Sequence, residues 1–210
     1  TILDALLWII ENADPSLSIR YNCRMAMCGS CGVVVNGKFV LACQTQVSEF
    51  NGNVIKIEPM PGYPIIKDLV VDHKPLFEKH KSIMPYLMTD DEDLALEHIQ
   101  TPEERALIDD PSRCLLCGLC MAACPISLTT DKFLGPAAIL NAYRFIVDSR
   151  DNNAETRLKI LDSTHGVWQC HLALSCIKAC PKDIKPAWAI RRIKSRLMRK
   201  KILGLVRIKR

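Results

Sequence analysis

The chain has 210 residues, 49% hydrophobic and 24% charged, which allows one or two domains with an apolar core and matches an ordinary soluble protein. No apolar run approaches the roughly 18–20 residues that cross a bilayer. Thr1-Ile2-Leu3-Asp4 lacks the basic start of a secretory signal, so the expectation is a soluble chain that was not exported unfolded. The net charge of +5 is unevenly placed: residues 191–210 carry ten Lys or Arg and no acid, leaving 18 basic against 23 acidic residues before them. With Ile, Leu, Met and Val interleaved, that end reads as an amphipathic helix for anionic headgroups or a membrane partner. No nucleic-acid motif accompanies the charge, which leaves RNA binding unsupported.

In chain order, Thr1 to Asn12 reads as a helix with Leu3, Leu6, Leu7 and Ile10 on one face, started by Thr1 with Asp4 and broken at Asp14-Pro15. A Cys- and Gly-rich loop follows from Tyr21 to Gly32. Val33–Val35 and Lys38–Ala42 flank Asn36-Gly37, a type I′ hairpin signal. Asn51-Gly52-Asn53 is a further turn and Val54–Glu58 a strand, after which Pro59, Pro61, Gly62 and Pro64 exclude regular structure. From about His73 the pattern becomes helical. Helices are expected to begin at Thr101-Pro102, Gly135-Pro136 and Pro186. The fold class is therefore α+β, with a small domain over residues 1–72 and a helical one over 73–210.

Eleven cysteines, an odd number without an export signal, argue against a disulfide framework and for metal-bound thiolates in a reducing compartment. They form three groups. Cys23-x4-Cys28-x2-Cys31, with Cys43 after the hairpin, is the plant-type spacing for a [2Fe–2S] cluster. Gly29 and Gly32 are expected to let this loop turn and aim N–H groups at the sulfurs. Arg24 offers either compensating charge or a surface salt bridge. A four-thiolate zinc site is the rival, although three ligands in one loop is not its usual arrangement.

Cys114-x2-Cys117-x2-Cys120-x3-Cys124-Pro125 is the bacterial-ferredoxin pattern, whose last cysteine characteristically serves a second cluster. Cys170-x5-Cys176-x3-Cys180-Pro181 overlays on it, except that Ala173 replaces the second cysteine. If each motif gives its last cysteine to the other, Cys114, Cys117, Cys120 and Cys180 hold a [4Fe–4S] cluster. Cys124, Cys170 and Cys176 then hold either [3Fe–4S] or a [4Fe–4S] with a non-protein fourth ligand. His171 reads as a packing or hydrogen-bonding residue, since no second histidine completes a Rieske pattern. His73, His80, His98 and His165 sit in no ligand-like spacing. No dinucleotide fingerprint, P-loop or nucleophile arrangement stands out, so the chain is expected to move electrons without performing bond chemistry alone.

The three groups together resemble the iron–sulfur subunit of succinate dehydrogenase and fumarate reductase. The resemblance runs through residues 23–32, Leu-Ala-Cys at 41–43, Asp-Leu-Val-Val-Asp at 68–72 and residues 114–125. It continues through Phe-Leu-Gly-Pro-Ala at 133–137, Asp-Ser-Arg-Asp at 148–151 and Cys-Pro-Lys at 180–182. It implies a plant-type ferredoxin (β-grasp) domain with [2Fe–2S], followed by an all-α bacterial-ferredoxin-like domain with [4Fe–4S] and then [3Fe–4S]. It also implies a flavoprotein partner carrying FAD, a membrane anchor and quinone. The resulting location would be peripheral, on the cytoplasmic face of the cell membrane or the matrix side of the mitochondrial inner membrane. Two departures stand out. The family's opening two-stranded hairpin is absent, which points to a truncated chain or to another segment completing the sheet. The Trp that commonly follows the first Cys-Pro is missing from residues 126–130. Pro125, His171 and Lys194 are the candidate quinone contacts by position in the family, with Ser127 as a further candidate polar contact. Two rival functions are a related relay to a soluble thiol acceptor and a freestanding multi-cluster ferredoxin.

Overall fold

Thr1 and Asp4 form a capping box, the Thr1 hydroxyl accepting the Asp4 N–H while the Asp4 carboxylate takes the N-terminal amine. The helix they start, α1 (Ile2–Asn12), buries Ile2, Leu3 and Leu6. Its first turn is tied down by Ile2 N–H to the Thr45 carbonyl and Leu3 N–H to the Ala42 carbonyl, both 2.9 Å. The computed structural model describes residues 1–52, 54–89 and 97–208, with 204–208 as backbone only.

β1 (Gly32–Val35) and β2 (Lys38–Leu41) pair antiparallel across Asn36 and Gly37, whose φ values of +47° and +78° make the type I′ turn. The other edge of β1 pairs with β3 (Ile57–Glu58), giving the order β2–β1–β3 among the described residues. The strand expected over Val54–Glu58 is thus only its last two residues. The Asn36 side chain accepts the Lys56 N–H and its own N–H bonds the Lys56 carbonyl, ending the ladder at the turn and leaving Val54 exposed. The turn expected at Asn51-Gly52-Asn53 has its last residue outside the described residues. β4 (Ile65–Lys67) and β5 (Val70–Val71) form a small hairpin that sequence reasoning misses, because its strands are too short to show alternation.

Helices then take over: α2 (Lys74–Ser82), α3 (Pro102–Ser112), α4 (Leu119–Ala122), α5 (Pro125–Thr129), α6 (Gly135–Ile146), α7 (Ala154–Leu161), α8 (Ser175–Lys178) and α9 (Pro186–Ile208). α3 begins with the expected cap, Thr101 and Glu104 exchanging bonds in a capping box. α6 is apolar on nearly every side and buried accordingly, with α2, α3, α4, α7 and α9 around it. α9 buries Ile190, Ile193 and Leu197, while Trp188, Arg191, Ser195 and Arg199 line its open face. That is the amphipathic arrangement expected of the basic end, whose residues 209 and 210 lie outside the described residues.

Two cores result. One joins α1 and the inner face of the β1–β2 sheet to Leu119, Met121 and Ala122 of α4, so packing runs across the change from strands to helices. The other gathers Ile139 and Ile146, Leu158 and Leu161, and the buried face of α9. Cys120 and Cys176 belong to the first core, whereas Cys114, Cys124, Cys170 and Cys180 flank the second. These six cysteines therefore sit at the seam between the cores.

Two buried acids anchor the loops around α6 and α7. Asp151 pairs with Arg157 at 2.5 Å, both side chains fully buried, and the same guanidinium donates to the Met84 and Tyr86 carbonyls. Asp148 accepts from Arg150 Nε at 2.9 Å and from Gln100 Nε2 at 3.0 Å. The Arg150 bond holds the Asp148 carboxyl below its ordinary range. A depressed carboxyl pKa stabilises the fold above the unfolded-state value, and that contribution is lost as pH falls through the folded one. Asp148→Asn should cost about 1.5–3 kcal/mol near neutral pH. The gap to the parent protein should close in melts run through the acid range; a constant gap would show that ionisation is not the cause.

Candidate metal centres

The first cysteine loop is built from left-handed residues. Arg24, Ala26 and Gly29 have φ of +56°, +54° and +71°, which folds the backbone so that several N–H groups converge. Met25, Met27 and Cys28 N–H donate to Cys23 Sγ at 3.3–3.4 Å, and Ala26 N–H donates to Cys43 Sγ at 3.3 Å. Cys43 thus joins the loop from the turn after β2. Gly32 serves differently from expectation. Its φ is not positive, and a Cβ there would lie 3.1 Å from Met60 Sδ and 3.3 Å from the Leu119 side chain, so the glycine answers to close packing rather than to a turn. The Arg24 guanidinium lies over the Tyr21 ring, 5.3 Å from its centroid.

Burial pushes the Cys31 thiol up to about 12. Burial opposes ionisation of Cys28 too, yet bonds from the Ser30 hydroxyl and the loop backbone pull it down to about 6.

The other seven cysteines line two cavities. One is walled by Cys114, Cys117, Cys120 and Cys180 with Leu140, Ile184 and Pro186; the other by Cys124, Cys170 and Cys176 with Pro125, Phe133, His171 and Ala173. Their empty volumes, about 380 and 350 Å³, are nearly equal, so the donors rather than the room distinguish them. Each cavity takes its outlying cysteine from the other motif. Cys180 stands with the 114–120 group, and Cys124 with the 170–176 group.

The two loops repeat in backbone conformation. Leu116 and Gly118 have φ of +52° and +79°, and at the same offsets from Cys170, Leu172 and Leu174 have +57° and +62°. A short helix follows each, α4 carrying Cys120 and α8 carrying Cys176. Leu172 N–H donates to Cys170 Sγ at 3.4 Å, and Asn141 Nδ2 to Cys114 Sγ at 3.5 Å. Burial, reinforced by neighbouring sulfurs, raises Cys117 to about 12 and Cys176 to about 11. Such thiols ionise readily only beside a cation, which bound iron supplies. Among the described residues, no group of three or more His, Cys, Asp or Glu is placed to hold a single metal ion. Thiol-lined cavities with N–H groups aimed at sulfur instead fit polynuclear clusters.

Of the four candidate quinone contacts, the structure brings Pro125 and His171 together in the wall of the Cys124 cavity. Lys194 Nζ donates to the Cys170 carbonyl at 2.6 Å and lies 5.9 Å from the Trp168 ring centroid. Ser127 lines a separate cleft with Tyr63, Lys79 and Asp131, and its buried hydroxyl has no hydrogen-bond partner. Sequence reasoning passes over Asn141 and Tyr63, whose hydroxyl donates to the Gly118 carbonyl at 3.2 Å. A lone Asn inside the apolar α6 was the available signal for the first, because a buried amide needs a partner.

Comparison with known proteins bears directly on these sites. A 2Fe-2S iron-sulfur cluster binding domain matches residues 1–78, and a 4Fe-4S dicluster domain matches residues 106–181. A succinate dehydrogenase iron-sulfur subunit from Coxiella burnetii is 40% identical over 198 residues, covering 94% of this chain and 83% of its own. A fumarate reductase iron-sulfur subunit from Mycobacterium tuberculosis is 41% identical over 195 residues, covering 92% and 79%. One from Haemophilus influenzae is 40% identical over 202 residues, covering 90% and 78%. A chain from the solved Mycobacterium smegmatis Sdh1 complex in the apo form shares the fold with a TM-score of 0.89 at 24% identity, covering 96% of this chain and 85% of that chain.

Proposed function

Because the chain belongs to the family of succinate dehydrogenase and fumarate reductase iron–sulfur subunits, we propose that its eleven cysteines hold three clusters. Cys23, Cys28, Cys31 and Cys43 would hold [2Fe–2S]; Cys114, Cys117, Cys120 and Cys180 would hold [4Fe–4S]; Cys124, Cys170 and Cys176 would hold [3Fe–4S]. The observation that carries this reading is the exchange of outlying cysteines between the two cavities, which supplies four donors to one and three to the other. When bound, the clusters supply one-electron redox centres between the FAD of a flavoprotein subunit and quinone at a membrane anchor. The chain is thus the electron-transfer subunit of a succinate:quinone or quinol:fumarate oxidoreductase, part of a membrane-associated complex.

Its own residues do the supporting work. N–H groups of the Cys23 loop and the Asn141 amide donate to sulfur, favouring the more negative, reduced state of each site. Apolar walls from Leu140, Ile184 and Phe133 keep water away from the thiolates. Lys194 holds the Cys170 carbonyl, fixing the start of the third loop. His171, exposed in the wall of the Cys124 cavity beside Pro125, can donate an imidazole N–H to a quinone oxygen. Among the described residues no helix is long and apolar enough to cross a membrane, so association rests on partners and on surfaces such as the basic face of α9. The cytoplasmic face of the cell membrane, or the equivalent matrix face, is the side we propose.

Adding the flavoprotein and succinate to the cluster-loaded chain should reduce its clusters; clusters left oxidised would sink the reading. In the assembled complex, His171→Ala and Lys194→Ala should each lower quinone reduction roughly tenfold, the worth of one hydrogen bond to a charged or reacting group. Succinate oxidation by an artificial dye should stay near normal in both. Ser127→Ala should affect quinone reduction least, since that residue lines another cleft. Normal quinone reduction in all three variants would remove these residues from the quinone site.

A further inference from the structure

Gly29 and Cys117 are far apart in sequence and meet in space. A methyl group at Gly29 would lie 2.8 Å from Cys117 Cβ, 3.0 Å from Cys117 Cα and 3.1 Å from the Leu115 carbonyl oxygen. These separations fall well inside the contact distance of non-bonded atoms. Two constraints therefore act on Gly29, its positive φ of +71° and the lack of room for any Cβ. Gly37 separates them, having φ of +78° with nothing within 4 Å. Only its backbone requires glycine.

The neighbours of this contact give it meaning. Gly29 is covalently joined to Cys28, a ligand of the first site, and it touches Cys117, a ligand of the second. One peptide unit and one van der Waals gap thus separate the two ligand sets. Tyr63 braces the same junction from the side, since a methyl group at Gly118 would lie 2.6 Å from its hydroxyl oxygen.

We propose that Gly29 is a positioning residue that sets the distance between the [2Fe–2S] and [4Fe–4S] sites, and that its contact with Cys117 is the passage by which an electron crosses between them. The proposal rests on the cluster assignment given above. One electron leaves one site, which is oxidised by one unit, and enters the other, which is reduced by one unit. No bond forms or breaks. Electron tunnelling weakens exponentially with distance, so a side chain that wedges the loops apart slows the crossing without touching a ligand.

The test uses the cluster-loaded chain within its purified complex, with dithionite or a photoreductant as the electron source, so that neither succinate nor quinone is involved. Gly29→Ala protein that loads its clusters should slow equilibration of an injected electron between the two sites several-fold and weaken magnetic relaxation of one by the other. Gly37→Ala, which imposes the same backbone strain without a neighbour, should leave both readouts unchanged. Unchanged equilibration and relaxation in a loaded Gly29→Ala protein would overturn the proposal. Should that variant lose its first cluster, the parent protein decides. Its [2Fe–2S] signal must relax faster when the neighbouring site is also reduced, and identical relaxation in the two states would overturn the proposal. A loaded but uncoupled protein thus fails this proposal alone, whereas a chain that binds no clusters fails the preceding assignment as well.

Discussion

Ala173→Cys is expected to turn the three-thiolate site into a four-thiolate one, replacing the oxidised-state [3Fe–4S] EPR signal with a [4Fe–4S] signal that appears only on reduction. The expectation rests on backbone shape. Left-handed residues fall at matching offsets in the two loops, Leu116 with Leu172 and Gly118 with Leu174, so position 173 occupies the place that Cys117 holds in its own loop. Ala173 already lines the Cys124 cavity. A sulfur on its Cβ would therefore join the other three thiols in that cavity. The change adds an iron and a thiolate together, so the midpoint potential of the site should move and quinone reduction should fall with it. Full retention of the oxidised-state signal in the variant would show that the matching dihedral angles do not confer matching ligand geometry.

The second large effect is on stability. Arg157→Ala leaves the fully buried Asp151 carboxylate without its cation and strips the Met84 and Tyr86 carbonyls of a donor. Removing one partner of a buried pair typically costs about 3–5 kcal/mol, because the remaining charge stays out of water. Arg157 also lies over the Phe145 ring at 5.0 Å, tying the loop before α3 to the end of α6. A cofactor-bearing chain does not melt in two states. The appropriate measurement is the temperature at which cluster absorbance is lost, which should drop sharply in Arg157→Ala and less in Arg157→Lys. The lysine keeps the charge but loses the forked geometry. A variant that holds its clusters to the parent temperature would contradict the account.

What could be read beforehand was whatever the chain specifies locally. The Thr1–Asp4 and Thr101–Glu104 caps, the Asn36-Gly37 turn and the spacing of all eleven cysteines each involve residues a few positions apart, and each carries its geometry in its composition. The exchange of Cys124 and Cys180 was legible for a related reason, since the proline after each marks a cysteine aimed out of its own loop. The rest depended on contacts between distant segments. Nothing in Gly32 announces Met60 and Leu119, and nothing near Ser127 says that it lines the cleft of Tyr63 and Lys79 rather than the Cys124 cavity. The β4–β5 hairpin escaped because strands of three and two residues leave no periodic trace. The Lys194 bond to the Cys170 carbonyl likewise required knowing where α9 packs.

The exchanged cysteines also bear on how the protein is made. On the proposed assignment neither ferredoxin-like loop finishes its own site, since Cys180 lines the cavity of the first and Cys124 that of the second. Iron delivered to either place therefore draws together segments separated by the whole of α6 and α7. Such a cross-link removes much of the freedom of the intervening chain, as any long loop closure does. The first insertion brings the donors for the other within reach, so the second proceeds at a lower entropic cost. On that assignment, iron loading of this half is expected to be cooperative, with few singly loaded forms in a titration of apoprotein with iron and sulfide.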